Sequence, residues 1–179
     1  MANSEFITQF KQKVKNEIIN DPLMVHAFGS PNYDPEDLDF SGEDVGDNHI
    51  FTWNRNPDVV TESITFMTIL VNTAVKRYDN KWMIPKLEIW LYTHDEHMKL
   101  DPKDFPGIAA NRNDYLSQLI DLKFNGRNVL GGETDKDKIR LVDDLLLTTN
   151  TEGVTIGNFA YRHMIFETKD MNSSMCSRW

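Results

Sequence analysis

A single cysteine, no apolar run long enough to cross a membrane and a shortage of positive charge together limit what this 179-residue chain can be. The cysteine, Cys176, sits in the polar tail Asn172-Ser173-Ser174-Met175, so no intrachain disulfide can form and folding in a reducing compartment is expected. No stretch approaches the ~18 consecutive apolar residues that a membrane span needs. The amino terminus, Met1-Ala2-Asn3-Ser4-Glu5-Phe6, has neither the basic start nor the apolar stretch of a signal peptide. A protein made and used inside a cell, with no membrane partner, is the expectation. Lysine and arginine total 19 against 28 aspartates and glutamates, and the formal net charge of -9 opposes nonspecific attraction to phosphate backbones or anionic lipid. A phosphate-binding glycine loop is missing too, because Gly126 through Gly131-Gly132 lacks the lysine-serine ending and follows no strand. No G-x-S-x-G nucleophile elbow occurs, and with one tail cysteine and no triad, nucleophilic catalysis has no candidate.

What is present reads as one α+β domain over residues 1–171, with an acidic loop at 30–48, followed by a polar tail at 172–179. Phe6, Phe10, Val14 and Ile18 recur at helical spacing between lysines, predicting an amphipathic first helix that Asn3 or Ser4 caps. Asn20-Asp21-Pro22 stops it, and Asp21 with Pro22 begins a short second helix that runs through Phe28 and ends at Gly29. From Ser30 to Asn48 acids accumulate without a lysine or arginine, among Pro31, Pro35, Gly42 and Gly46. A long exposed loop is expected there, either a contact arm or a solvated insertion; its acids lack the spacing of a calcium-binding EF-hand loop. His49–Trp53 is a short strand candidate. Residues 63–75 alternate, with Ile64, Phe66 and Leu70 on one face and Met67, Ile69 and Val71 on the other. Asp79-Asn80 turns the chain into a second strand at 87–92, giving a hairpin apolar on both faces. Residues 111–124 return to helical spacing and stop at Asn125-Gly126. Strands at 139–148 and 159–168, joined through Asn150-Thr151-Glu152-Gly153, complete an antiparallel sheet of about four or five strands with the N-terminal and second long helices packed on it.

The constellation most suggestive of chemistry is His94-Asp95-Glu96-His97, where imidazoles and carboxylates meet at a strand end. His94 and His97 would share a metal on a helix, but here one lies on a strand and the other in a loop. His26, His49 and His163 supply no second pair. A metal-dependent nuclease or hydrolase using Glu88, His94, Asp95 and His97, with Asp143 and Asp144 nearby, is the competing enzyme reading. Polar strand ends and edges explain the same residues. Trp53, Trp82, Trp90 and Trp179 read as core or cover residues, or as interface anchors. Arg55 and Arg112 read as contact residues or as partners of surface acids.

The stretch Leu87-Glu88-Ile89-Trp90-Leu91-Tyr92-Thr93-His94, then Asn111-Arg112-Asn113-Asp114-Tyr115-Leu116-Ser117-Gln118-Leu119-Ile120-Asp121, closing with Phe124-Asn125-Gly126, resembles tailed-bacteriophage neck proteins of the tail-terminator and head–tail joining group. The longer acidic loop at 30–48 and the Pro102-to-Gly107 loop depart from that pattern. The resemblance implies a structural virion protein without catalytic residues, cofactor or metal. It forms or joins a ring of like subunits between the capsid portal and the tail, is assembled in the host cytoplasm, and lets DNA pass without specific binding. On this reading Asp37, Asp39, Trp53, Arg55, Asp104, Phe105 and Arg112 are the expected contact residues. Arg112 and Asp114 are also expected to fix the start of the second long helix. A monomeric cytosolic adaptor is the third possibility.

Overall fold

A computed structural model of the chain describes residues 4–29, 42–75, 83–127, 145–155 and 157–168. The stripe expected at the amino terminus becomes α1, Ser4–Ile19, whose Phe10, Val14 and Ile18 are fully buried. Pro22–Phe28 forms α2. The Asp21 carboxylate accepts from the Leu23 and Met24 amides at 3.1 and 3.3 Å, and Gly29 closes the helix in the left-handed region. Asp21 also lies 3.6 Å from Lys123, which reaches Glu17 at 3.5 Å. Asp21→Ala is expected to lower stability by about 1 kcal/mol through loss of the cap. Asp21→Asn, which keeps an accepting oxygen, should lose less. Urea unfolding checks both as a shifted midpoint at constant slope.

The acidic segment differs from the expected loop in its described part. Glu43–His49 is a helix, α3, with Val45 and Gly46 buried. Gly42 and Gly46 act here as spacers and not as breakers. A Cβ on Gly42 would stand 2.0 Å from the Ile19 carbonyl oxygen, and one on Gly46 would crowd Lys15 and Ile19. Small residues let α3 lie directly against α1.

Five strands form one sheet. They are β1 (Ile50–Phe51), β2 (Thr65–Val75), β3 (Met83–His94), β4 (Leu145–Val154) and β5 (Phe159–Thr168), in the order β1-β2-β3-β5-β4. The last strand has the expected bounds. The sheet departs from a purely antiparallel one at its edge, where β1 runs parallel to β2, because α3 returns the chain to the side from which β2 starts. β4 also runs through the expected turn at 150–153, and Asn158, just before β5, adopts φ 60. The Tyr161 ring lies across Gly153 so closely that a Cβ there would come within 2.6 Å of it. That glycine serves packing. Asp79-Asn80, residues 139–144 with Asp143 and Asp144, Trp82, Trp179 and the 172–179 tail lie outside the described residues.

Strand alternation places Met67, Ile69, Val71, Leu87, Ile89, Leu91, Met164 and Phe166 on one face, where they are buried under α1, α2 and α4 (Arg112–Phe124). The opposite face carries its own aromatic core of Phe51, Val60, Phe66, Tyr92 and Phe159. The expectation of two apolar faces is met, and a segment of the same chain, residues 50–60, covers one end of the second.

Candidate functional site

The segment between β3 and α4 is organised around Arg112. Its Nε donates to the His97 carbonyl at 2.8 Å, Nη1 to the Ala27 carbonyl at 2.6 Å, and Nη2 to the Lys99 carbonyl at 3.3 Å. The side chain joins the end of α2, the short 3-10 turn Asp95–His97 and the start of α4. Phe105 is 7% exposed and stacks on His26 at 4.4 Å between ring centres, with Tyr115 edge-on at 5.6 Å. Arg112, expected like Phe105 among the contact residues, is itself only 6% exposed. Burial turns both inward, and they tie the 99–110 loop to the subunit's own core. Asp104 is exposed beside them and acts electrostatically on Arg112 and His26.

Helix α4 starts as expected, with Asn111 accepting from the Asp114 amide at 2.8 Å and donating to the Asp114 carboxylate at 2.7 Å. Asp114 is held in turn by Arg162 of β5, which also reaches Glu152 at 3.1 Å. These groups border a pocket of about 230 Å3 whose other walls include Met98, Asn113, Val154 and Tyr161. Arg162 and Glu152 were not legible as a pair, because their juxtaposition depends on the β4–β5 register.

The residues of the enzyme reading are not brought together. Glu88 and His94 are six residues apart on an extended strand, roughly 20 Å. Glu88 accepts from Asn72 at 2.7 Å and stands 3.7 Å from His163, an ion-pair distance longer than a hydrogen bond. His94 takes the Glu96 amide, and His97 bonds the Thr65 hydroxyl at 2.9 Å. No cluster of three or more metal-ligating side chains occurs among the described residues. His97 belongs instead to a buried polar chain in which Thr65 meets Thr93 at 3.1 Å and Thr93 donates to Asn113 at 2.6 Å.

That chain makes stability depend on pH. Burial first, then the charges of Arg112, His49 and His94, lowers the His97 pKa to about 4 from 6.5. Below pH 6.5 the unfolded state takes up a proton that the folded state refuses, so stability rises with pH in this interval. The contribution is complete above pH 6.5 and is lost as pH falls toward 4. Thermal unfolding between pH 7.5 and 4 should show a falling midpoint, and His97→Gln should flatten part of that decline.

A second group of expected residues lies at the end of the sheet where residues 50–60 cross. Trp53 is 59% exposed and meets Phe51 edge-on at 4.9 Å. The Arg55 guanidinium lies 4.4 Å over Phe51 and 5.5 Å over Phe66, with Glu62 at 4.0 Å. The 3-10 turn Pro57–Val59 sits against the β4–β5 turn, since a Cβ on Gly157 would stand 3.3 Å from Asp58. Val59 at 72% and Val154 at 77% exposure flank this junction, Val59 on the crossing segment and Val154 on the strand face that lines the α4 pocket, so three of the five large exposed apolar side chains among the described residues lie near this end. Val59 and Val154 escaped the sequence reading because neither breaks a local pattern. Asp37 and Asp39 lie outside the described residues.

The family model YomW matches residues 11–168. Its name is of the phage-related kind and describes no activity. No curated protein matches the chain.

Proposed function

The chain belongs to the YomW family, and from that premise and the geometry above we propose that it is a structural protein of the phage neck. In this role it forms or joins a ring between the capsid portal and the tail. The observation that carries the reading is the end of the sheet where Trp53 stands exposed against the aromatic core of the second face, with the exposed Val59 in the same crossing segment. Tryptophan is enriched among interface anchors, and a base of packed rings holds it with little entropy left to lose on docking. The portal, the tail tube or another neck protein is the partner for this end. A net charge of -9 suits a subunit past which DNA must slide, because like charge prevents adhesion. The neck of the virion, after assembly in the host cytoplasm, is the corresponding location.

Labelled antibodies against the protein, imaged on particles of the phage that encodes it, test this reading. Label at the head–tail junction is expected. Purified infectious particles that contain no trace of the protein would overturn it.

A further inference from the structure

We propose that neighbouring copies of this chain join sheet edge to sheet edge, the outer side of β2 in one copy pairing antiparallel with the outer side of β4 in the next. The inference rests on the ring reading and specifies its contact. β1 is only two residues long and pairs with Met67 and Thr68 alone, so Ile69–Val75 has no partner on its outer side among the described residues. That stretch, Ile-Leu-Val-Asn-Thr-Ala-Val, contains no charge and no proline, the devices that ordinarily blunt an edge. On the far side of the sheet, β4 is protected over its first part. The Gly126 amide donates to the Leu145 carbonyl at 2.7 Å, the Leu147 amide donates to the Asn125 side chain at 3.0 Å, and an irregularity follows between Leu147 and Thr149. From Thr149 to Val154 the outer side has no partner among the described residues.

A second copy is the occupant because each copy carries both halves of the contact. The open stretches are of similar length and lie on opposite edges of one sheet, so joining them is heterologous and repeats from subunit to subunit. Three geometric conditions agree. The strands alternate in direction from β2 to β4, so copies held in the same orientation meet antiparallel, the pairing of higher stability. Asn72 and Thr151 project from the same face of the sheet, as the row Thr68, Trp90, His163, Thr151 and the row Asn72, Lys86, Glu167 establish. Setting Asn72 opposite Thr151 therefore continues both faces without a flip. The third condition is closure. The row of Asn72 reaches β4 at Leu146, so this pairing displaces each copy along the strands by roughly 14 Å for every roughly 19 Å of sheet width. The resulting slope of about 36° falls within the tilt at which sheets close on themselves, so that repetition ends in a ring.

The test uses the full chain with Cys176→Ser, carrying Asn72→Cys together with either Thr151→Cys or Thr149→Cys. Residues facing each other in an antiparallel pair lie within the Cα separation of a disulfide. Under oxidised glutathione, at a concentration where light scattering finds rings, one double variant should give a non-reducing ladder rising to the ring number. Each single variant should give nothing above a dimer. Rings without a ladder in either double variant would overturn edge pairing while leaving the ring reading standing. A chain that stays monomeric at every concentration, also when purified portal or tail is added, and gives no ladder would overturn both.

Discussion

Arg112→Ala lowers the free energy of unfolding by about 3–5 kcal/mol, an effect of the size seen when one partner of a buried charge-assisted network is removed. The figure follows from the partners. Three backbone carbonyls, on Ala27, His97 and Lys99, lose a charged donor, and the one on Ala27 is buried where water does not replace it. Arg112→Lys should recover little, because an ammonium cannot reach three divergent acceptors with the planar fork of a guanidinium. The measurement is urea unfolding of both variants against the parent. A loss under 1 kcal/mol for Arg112→Ala would mean that the junction of α2, the 95–97 turn and α4 is held by something else.

Phe66→Ala is expected to cost about 3–5 kcal/mol, the usual range for deleting a fully buried aromatic ring. Phe66 is the centre of the second face. Tyr92 stacks on it at 5.0 Å, Phe159 meets it edge-on at 5.5 Å, Phe51 lies at 6.1 Å, and Arg55 covers it. The substitution also removes the ring against which Phe51, the neighbour of Trp53, is packed. Trp53→Ala, by contrast, should leave stability nearly unchanged, since the side chain is mostly in water. Comparing the two separates the aromatic packing of the second face from the exposed Trp53 ring itself. Calorimetry supplies the numbers for each.

Local chemistry made much of this fold legible. Asp21, Pro22 and Gly29 specify α2 through a cap, a preset φ and a left-handed stop, all within nine residues. The Asn111–Asp114 exchange and the Asn125-Gly126 stop bound α4 in the same way. Alternation was enough for β2, β3 and β5, because each face of the sheet meets apolar neighbours. Reading failed where a residue answers to a distant partner. Gly42 and Gly46 look like breakers until Ile19 and Lys15 are set beside them, and Gly153 looks like a turn until Tyr161 crosses it. The parallel pairing of β1 carries no local signature at all. Of the expected contact residues, Trp53 and Arg55 lie at the end of the sheet that residues 50–60 cross, and Asp104 is at the surface. Phe105 and Arg112 turn inward, since an aromatic and an arginine in a loop look alike in sequence whether they face a neighbour or the core.

Self-assembly is the central claim, and light scattering on a size-exclusion column over a concentration series, with negative-stain imaging of any large peak, tests it most directly. The account predicts a discrete oligomer of constant mass that images as a ring. A strict monomer at every concentration, also when purified portal or tail is added, would contradict it and leave the monomeric adaptor as the reading to pursue.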